Sequence, residues 1–144
     1  MTTTYASVPV HDLAELSWHF DDLAFNQGNM DAALDLIADD FVNHDPLPGQ
    51  EPTRAGLAEY VPLLRQGLPD LECHNEMMVV QGDRLAHIII FSGTHTGEFF
   101  GVAPTGKRVT FRSHDFQRWE NGKMKERWAV ADTSELEAIL SPDK

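Results

Sequence analysis

The chain has 144 residues, enough for one domain that buries about 68–70% of its unfolded surface without a metal or disulfide staple. Its 23 acidic against 11 basic residues leave a formal net charge of −12, which repels phosphate backbones and anionic lipid over about a Debye length and argues against nucleic acid or membrane as partner. A lone cysteine, Cys73, excludes an intrachain disulfide and a cysteine-rich zinc site, and suits a reducing cytoplasm.

The opening MTTTYASVPV lacks a basic region followed by an apolar core, and no run approaches the roughly 18 apolar residues of a membrane span. The expectation is a soluble, unexported, cytoplasmic protein. From Val10 to about Gln27, Leu13, Leu16, Phe20, Leu23 and Ala24 recur at helical spacing, and Trp18 with Phe25 forms a second stripe. Gly28 ends that helix and Asn29 caps a short second one, Met30 to Ala38, carrying Leu34 and Ile37. NHDPLPGQEP is a loop by composition. A third helix follows Thr53, with Leu57, Tyr60, Val61 and Leu64 on one face, and Pro62 is expected to kink or split it.

The second half is β-rich. Leu71–Val80, Leu85–Thr94, Arg108–Trp119 and Met124–Ala131 are separated by Gln81-Gly82-Asp83, a longer loop from Gly97 to Gly106, and Asn121-Gly122. These are meander signals and predict an antiparallel sheet. Thr133-Ser134 with Glu137 forms a capping box for a terminal helix through Leu140. Helices first and a meander afterwards give one α+β domain over residues 1–144, a curved sheet closed by helices around a pocket.

DDFVNHDP, GDRLAHIIIFSGTHTGEFFGVAPTGKRVTF and HDFQRWENGKMKERWAVAD together resemble the SnoaL-like polyketide cyclases of the nuclear transport factor 2-like superfamily, from about Leu13 to Leu140. The resemblance implies a cone-shaped α+β fold with a deep apolar pocket, often dimeric through the open sheet face, and no metal or organic cofactor. It includes cyclases acting by intramolecular aldol condensation, hydroxylase relatives and isomerases. The family keeps an acid on its last strand in a pattern like E-H-W-D-V-V-D. Here Glu126 to Asp132 match it, with Ala129 at the position of the acid and Arg127 at that of the histidine. A mechanism that needs that acid does not carry over. Asp115 matches a polar pocket position on the preceding strand, and Asn43-His44 match the pocket mouth.

Asp115 stands among Phe111, Phe116 and Trp119. Facing an apolar pocket, it would have its pKa raised by desolvation into the range of a general base; facing solvent, it would pair with Arg112 or Arg118. A strict two-residue turn at Asn121-Gly122 sets Asp115 opposite Trp128. One extra residue is expected to set it opposite Arg127, with Ser113 and Ala129 on the same face. His44 is the second proton-transfer candidate; alternatively, Asn43 and Asp45 make turn hydrogen bonds before Pro46. Arg127 either stabilises an enolate or pairs with Glu126 or Asp115.

Trp18, Phe20 and Phe100 read first as core residues, and with Trp128 from the last strand they also suit walls for a flat apolar ligand. His19, His87, His95 and His114 lack metal-ligand spacing and read as surface or structural, so no metal is predicted. GVAPTGKRV lacks phosphate-loop spacing and reads as a turn at the pocket lip. The function expected is cofactor-independent proton transfer by Asp115 next to a carbonyl of an apolar, polyketide-like substrate, with Asn43, His44 and Arg127 stabilising the oxyanion, in a homodimer. The alternatives are a non-catalytic binding protein with the same pocket, and a structural dimer whose pocket is filled by its own side chains.

Overall fold

A computed structural model describes residues 10–140, so most of the opening MTTTYASVPV lies outside the described residues. In chain order it comprises α1 (Val10–Asp21), a π-turn (Asp22–Asn26), α2 (Met30–Leu34), β1 (Ile37–Asn43), α3 (Arg54–Gly67), β2 (Glu72–Gln81), β3 (Arg84–Thr94), β4 (Arg108–Glu120), β5 (Lys123–Asp132) and α4 (Ser134–Leu140). Among the described residues no helix is long and apolar enough to cross a membrane.

The four strands read from alternation are present, and their alternation does what the pattern implies. Every odd residue of β4 from Val109 to Trp119 is buried. Asn121 and Gly122 take positive φ values of 52° and 76°, the backbone of a type I′ hairpin, whose twist matches that of the flanking strands. Gly82-Asp83 joins β2 to β3 in the same two-residue fashion.

Three expectations need correction. The second helix stops at Leu34, and Ile37 and Ala38 open a strand instead. β5 would otherwise present a row of unpaired N–H and C=O groups at the sheet edge, and β1 covers it, pairing Ile37 with Met124 and Asn43 with Arg127. That pair is parallel, so the sheet is not wholly antiparallel; its order is β1-β5-β4-β3-β2. β1 and β2 are its two edges and do not meet, so the curved sheet stays open and the helices cover its inner face. Finally, α3 runs unbroken through Pro62. Pro62 sits on the exposed side of α3, where the carbonyl that loses its partner can turn to water.

Two single-residue bulges curve the sheet. Arg118 pairs with Glu126 while Trp119 pairs with Met124, leaving Lys125 as the extra residue of β5. Asn75 pairs with Ile89 while Met77 pairs with Ile88, leaving Glu76 extra in β2. Among the described residues the interior holds two apolar clusters. One gathers Phe20, Phe41, Leu85, Trp119 and Met124 under α1 and β1; the other gathers Leu68, Ile89, Phe91, Phe111 and Ile139. Gly97 fastens the long loop to the end of α3, donating to Gly67 O at 3.2 Å. A Cβ at Gly97 would lie 1.9 Å from the backbone oxygen of Gln66. Gly97→Ala is therefore expected to cost about 1–3 kcal/mol, as overpacking does, read as a lower urea midpoint at unchanged slope.

Candidate functional site

On β3 the inward positions run Leu85, His87, Ile89, and on β4 they run Phe111, Ser113, Asp115, Gln117, Trp119. Both strands thus interrupt an apolar face with polar groups at the same level, because His87 pairs directly with Asp115. The next residue across the sheet is Ala129, the partner of Asp115 on β5. A polar band crosses the sheet between the two apolar clusters, under a cavity of about 250 Å³.

The extra residue in β5 places Asp115 opposite Ala129, neither opposite Trp128 nor opposite Arg127. Arg127 lies two residues along the same face and reaches across, its Nε donating to Asp115 Oδ2 at 3.0 Å. Ser113 Oγ donates to Asp115 Oδ1. His87 Nε2 is 3.8 Å from Asp115 Oδ2. Asp115 is 7% exposed. Burial works to raise its pKa, but Arg127, His87 and Ser113 outweigh it and hold the carboxyl at about 2. This corrects the expectation of a raised value: the partners come from neighbouring positions and strands, and Asp115 is an ionised anchor at neutral pH.

A second carboxyl has the opposite character. Asp21 ends α1 where the chain passes into the π-turn, which is closed by Gln27 N donating to Asp22 O at 2.9 Å. Such turns recur at functional sites because they re-aim side chains. Asp21 is 4% exposed, lines the cavity, and its Oδ2 has no hydrogen-bond partner among the described residues. That oxygen of Asp21 is 3.8 Å from His87 Nδ1. Desolvation raises its pKa to about 7, with Asp115 adding to the rise and His87 and Arg127 opposing it. His87 is fully inside; burial works against its protonation, but the flanking Asp115 and Asp21 raise its pKa overall.

Sequence reading passed over Asp21 and Gln117, and read His87 only as a surface or structural histidine. The signal was present for Asp21, since Leu13, Ser17 and Asp21 follow one another at i, i+4 spacing within the apolar stripe, and an acid there is out of place. For His87 it was the strict alternation of β3.

Of the residues expected at the site, Asp115, Arg127, Ser113 and Phe20 line the cavity. The others stand elsewhere. His44 is on the surface, stacked on Trp128 at 4.6 Å between ring centres, with Nε2 2.9 Å from Glu126 Oε1. Asn43 is buried and accepts from Asp45 N at 3.0 Å, the turn role weighed for it. Trp128 faces a groove on the outer side of the sheet with Val79, Arg84 and Phe116, because its alternation is opposite to that of Arg127 and Ala129. Trp18 packs against the second apolar cluster. Phe100 is 52% exposed at a turn, with φ 48°.

The remaining wall is mostly apolar. Phe25, Leu57, Phe91 and Met124 contribute, with Ala129 and Ala131 on β5 and Thr133 just after it. Tyr60 joins them, its pKa raised by burial. Asp45, Leu47 and Gln50 come from the loop after β1, which Asp45 ties to β5 by accepting from Ala129 N at 2.8 Å. Among the described residues no three His, Cys, Asp or Glu side chains are arranged to hold a metal ion.

A family model described as SnoaL-like polyketide cyclase matches residues 17–140. Solved structures share the fold. IdmH from Streptomyces antibioticus, named as a candidate polyketide cyclase, is 26% identical, with 91% of this chain and 99% of that one covered and a TM-score of 0.77. AclR from Streptomyces galilaeus, named as a candidate hydroxylase, is 24% identical over 93% and 83% of the two chains, with a TM-score of 0.81. TsrD from Streptomyces laurentii is 23% identical over 93% and 98%, with a TM-score of 0.79. No curated protein sequence matches.

The raised pKa of Asp21 carries a stability consequence. Between its ordinary value of 3.8 and about 7 the folded state holds a proton that the unfolded state has released, so stability falls as pH rises through that window. At about 1.4 kcal/mol per pKa unit this is on the order of 4 kcal/mol. Asp21→Asn is expected to stabilise the protein at pH 8 and to lose that advantage as pH falls toward 4, measured by urea denaturation across the range.

Proposed function

The chain belongs to the SnoaL-like polyketide cyclase family, and on that premise we propose that it is an enzyme transferring a proton next to a carbonyl of a small apolar, polyketide-like substrate, with Asp21 as the acid/base. The observation that carries this is a carboxyl buried in an apolar cavity, short of hydrogen-bond donors, with its pKa at about 7. A group poised there is part ionised at neutral pH and can both take and return a proton.

The substrate carbonyl would point toward Arg127 and the Tyr60 hydroxyl, both on the cavity wall. Arg127 commits its Nε to Asp115, so its terminal nitrogens supply donors for an oxyanion. Asp21 removes the proton from the carbon beside the carbonyl, and the electron pair moves onto the oxygen as an enolate. The enolate carbon then attacks a second carbonyl, closing a ring as Asp21 protonates the new alkoxide; or, in a substrate with a C=C next to the deprotonated carbon, the dienolate takes the proton back from Asp21 at the far end of that C=C, shifting the double bond into conjugation with the carbonyl. Asp115 remains ionised and fixes Arg127. Size supports a compact substrate: an apolar void of about 150 Å³ takes benzene, so about 250 Å³ suits one substituted ring or two fused rings.

Ala129, where the resembling cyclases keep an acid, favours a second reading in which the cavity binds a ligand and leaves it unchanged. The two separate in one assay, solvent deuterium exchange at the carbons beside the carbonyl of a bicyclic ketone such as 2-tetralone, followed by proton NMR. The enzyme reading expects exchange above background, reduced about 100-fold or more in Asp21→Asn. Binding of the ketone without exchange by the wild-type protein would favour the binding module.

The exposed side of the sheet supports a homodimer. Met77, Val79, Phe116 and Val130 stand exposed there, beside the groove lined by Trp128, an apolar area that monomers rarely leave uncovered. Light scattering is expected to give twice the chain mass, and the double variant Phe116→Glu, Val130→Lys the mass of one chain.

A further inference from the structure

Gln117 is 2% exposed and its amide has one allowed orientation. Ser17 Oγ donates to Gln117 Oε1 at 2.9 Å, and Trp119 Nε1, which can only donate, reaches the same oxygen at 2.8 Å. With the oxygen claimed twice, the NH₂ group must face the other way, and it lies 3.3 Å from His87 Nε2. On the far side of the ring, His87 Nδ1 is 2.9 Å from Asn75 Oδ1.

We propose that Gln117 is a positioning residue: by presenting an N–H to His87 Nε2 it holds His87 as the neutral Nδ1–H tautomer, aiming that N–H edge at Asn75 and the Asp21 carboxyl. This rests on Asp21 as the acid/base. An Nε2–H would meet the Gln117 donor head-on, so the imidazole keeps its lone pair there. The charged and titratable groups facing His87 are Asp21 from α1, Asp115 from its own sheet neighbour, and Arg127 beyond it. The two acids favour an imidazolium, and the Gln117 amide opposes it. Above the His87 titration Asp21 therefore faces a dipole in place of a full positive charge, which keeps its affinity for a proton high.

Gln117→Glu reverses the donor. The carboxylate still accepts from Ser17 and Trp119, and it now accepts from His87 Nε2 as well, making the imidazolium the favoured form. Nitrogen-15 NMR of the ring resolves the tautomer without any substrate, and carbon-13 NMR of the aspartate carboxyls follows Asp21 in the same sample. In the wild-type protein at pH 8 the expected pattern is a protonated Nδ1 and an unprotonated Nε2. In Gln117→Glu the His87 titration is expected to move up by at least one pH unit and that of Asp21 down. A wild-type Nε2–H tautomer overturns the proposal even if the variant fails to fold, as does a folded variant with unmoved titrations. An Asp21 that titrates near pH 4 with His87 in the expected tautomer would instead remove the acid/base reading and leave the tautomer assignment standing.

Discussion

An ionised carboxylate in an apolar interior needs partners, and the site is arranged around those of Asp115. Removing such a group from water costs several kcal/mol that only charge and hydrogen bonds can offset. Arg127 Nε and Ser113 Oγ provide them, and both come from inward positions of β4 and β5. Nothing comparable reaches Asp21, whose Oδ2 is left without a partner among the described residues. Two carboxyls on one cavity are thereby driven apart, one to about 2 and the other to about 7. Difference of environment, with no difference of residue type, separates a carboxyl that stays ionised from one that holds its proton up to about neutral pH.

Ala129 belongs to the same use of space. It sits directly across from Asp115, where a second acid would face the first at sheet spacing and compete for the Arg127 guanidinium. With only a methyl group there, the arginine can reach across the strand. An alanine on β5, where the resembling cyclases keep an acid, and a high-pKa acid on α1 then fit one arrangement, in which, on the proposed function, the proton-exchanging group approaches from the helical wall of the cavity.

The sequence showed the strands of the second half well, since alternation and the Asn121-Gly122 turn are local signals. β1 was hidden for physical reasons. Its partner is more than eighty residues away and parallel, so no turn marks it, and Asp39-Asp40 on its exposed face break the apolar pattern. The inward face of Asp115 was legible up to a one-residue ambiguity, which the extra Lys125 resolves. Its pKa was not, because the donors that lower it are arranged by pairing across strands. His44 misled because loop histidines carry no periodicity: a surface imidazole stacked on Trp128 looks the same in sequence as one at a pocket mouth. The family resemblance supplied the container and located Ala129, but it directed attention to the strands and away from Asp21.

The π-turn after Asp21 holds one residue more than an α-helical turn would. Deleting a single residue from Asp22–Asn26 would restore ordinary helical spacing and rotate α1 by about 100° against the rest of the fold. Asp21 would swing off the cavity and Ser17 off the Gln117 amide together, while the side chains on the sheet stayed in place. On the proposed function, proton-transfer competence would depend partly on spacing, and a one-codon change in length at any position of the turn but Phe25 would remove or restore it without changing a side chain of the cavity wall.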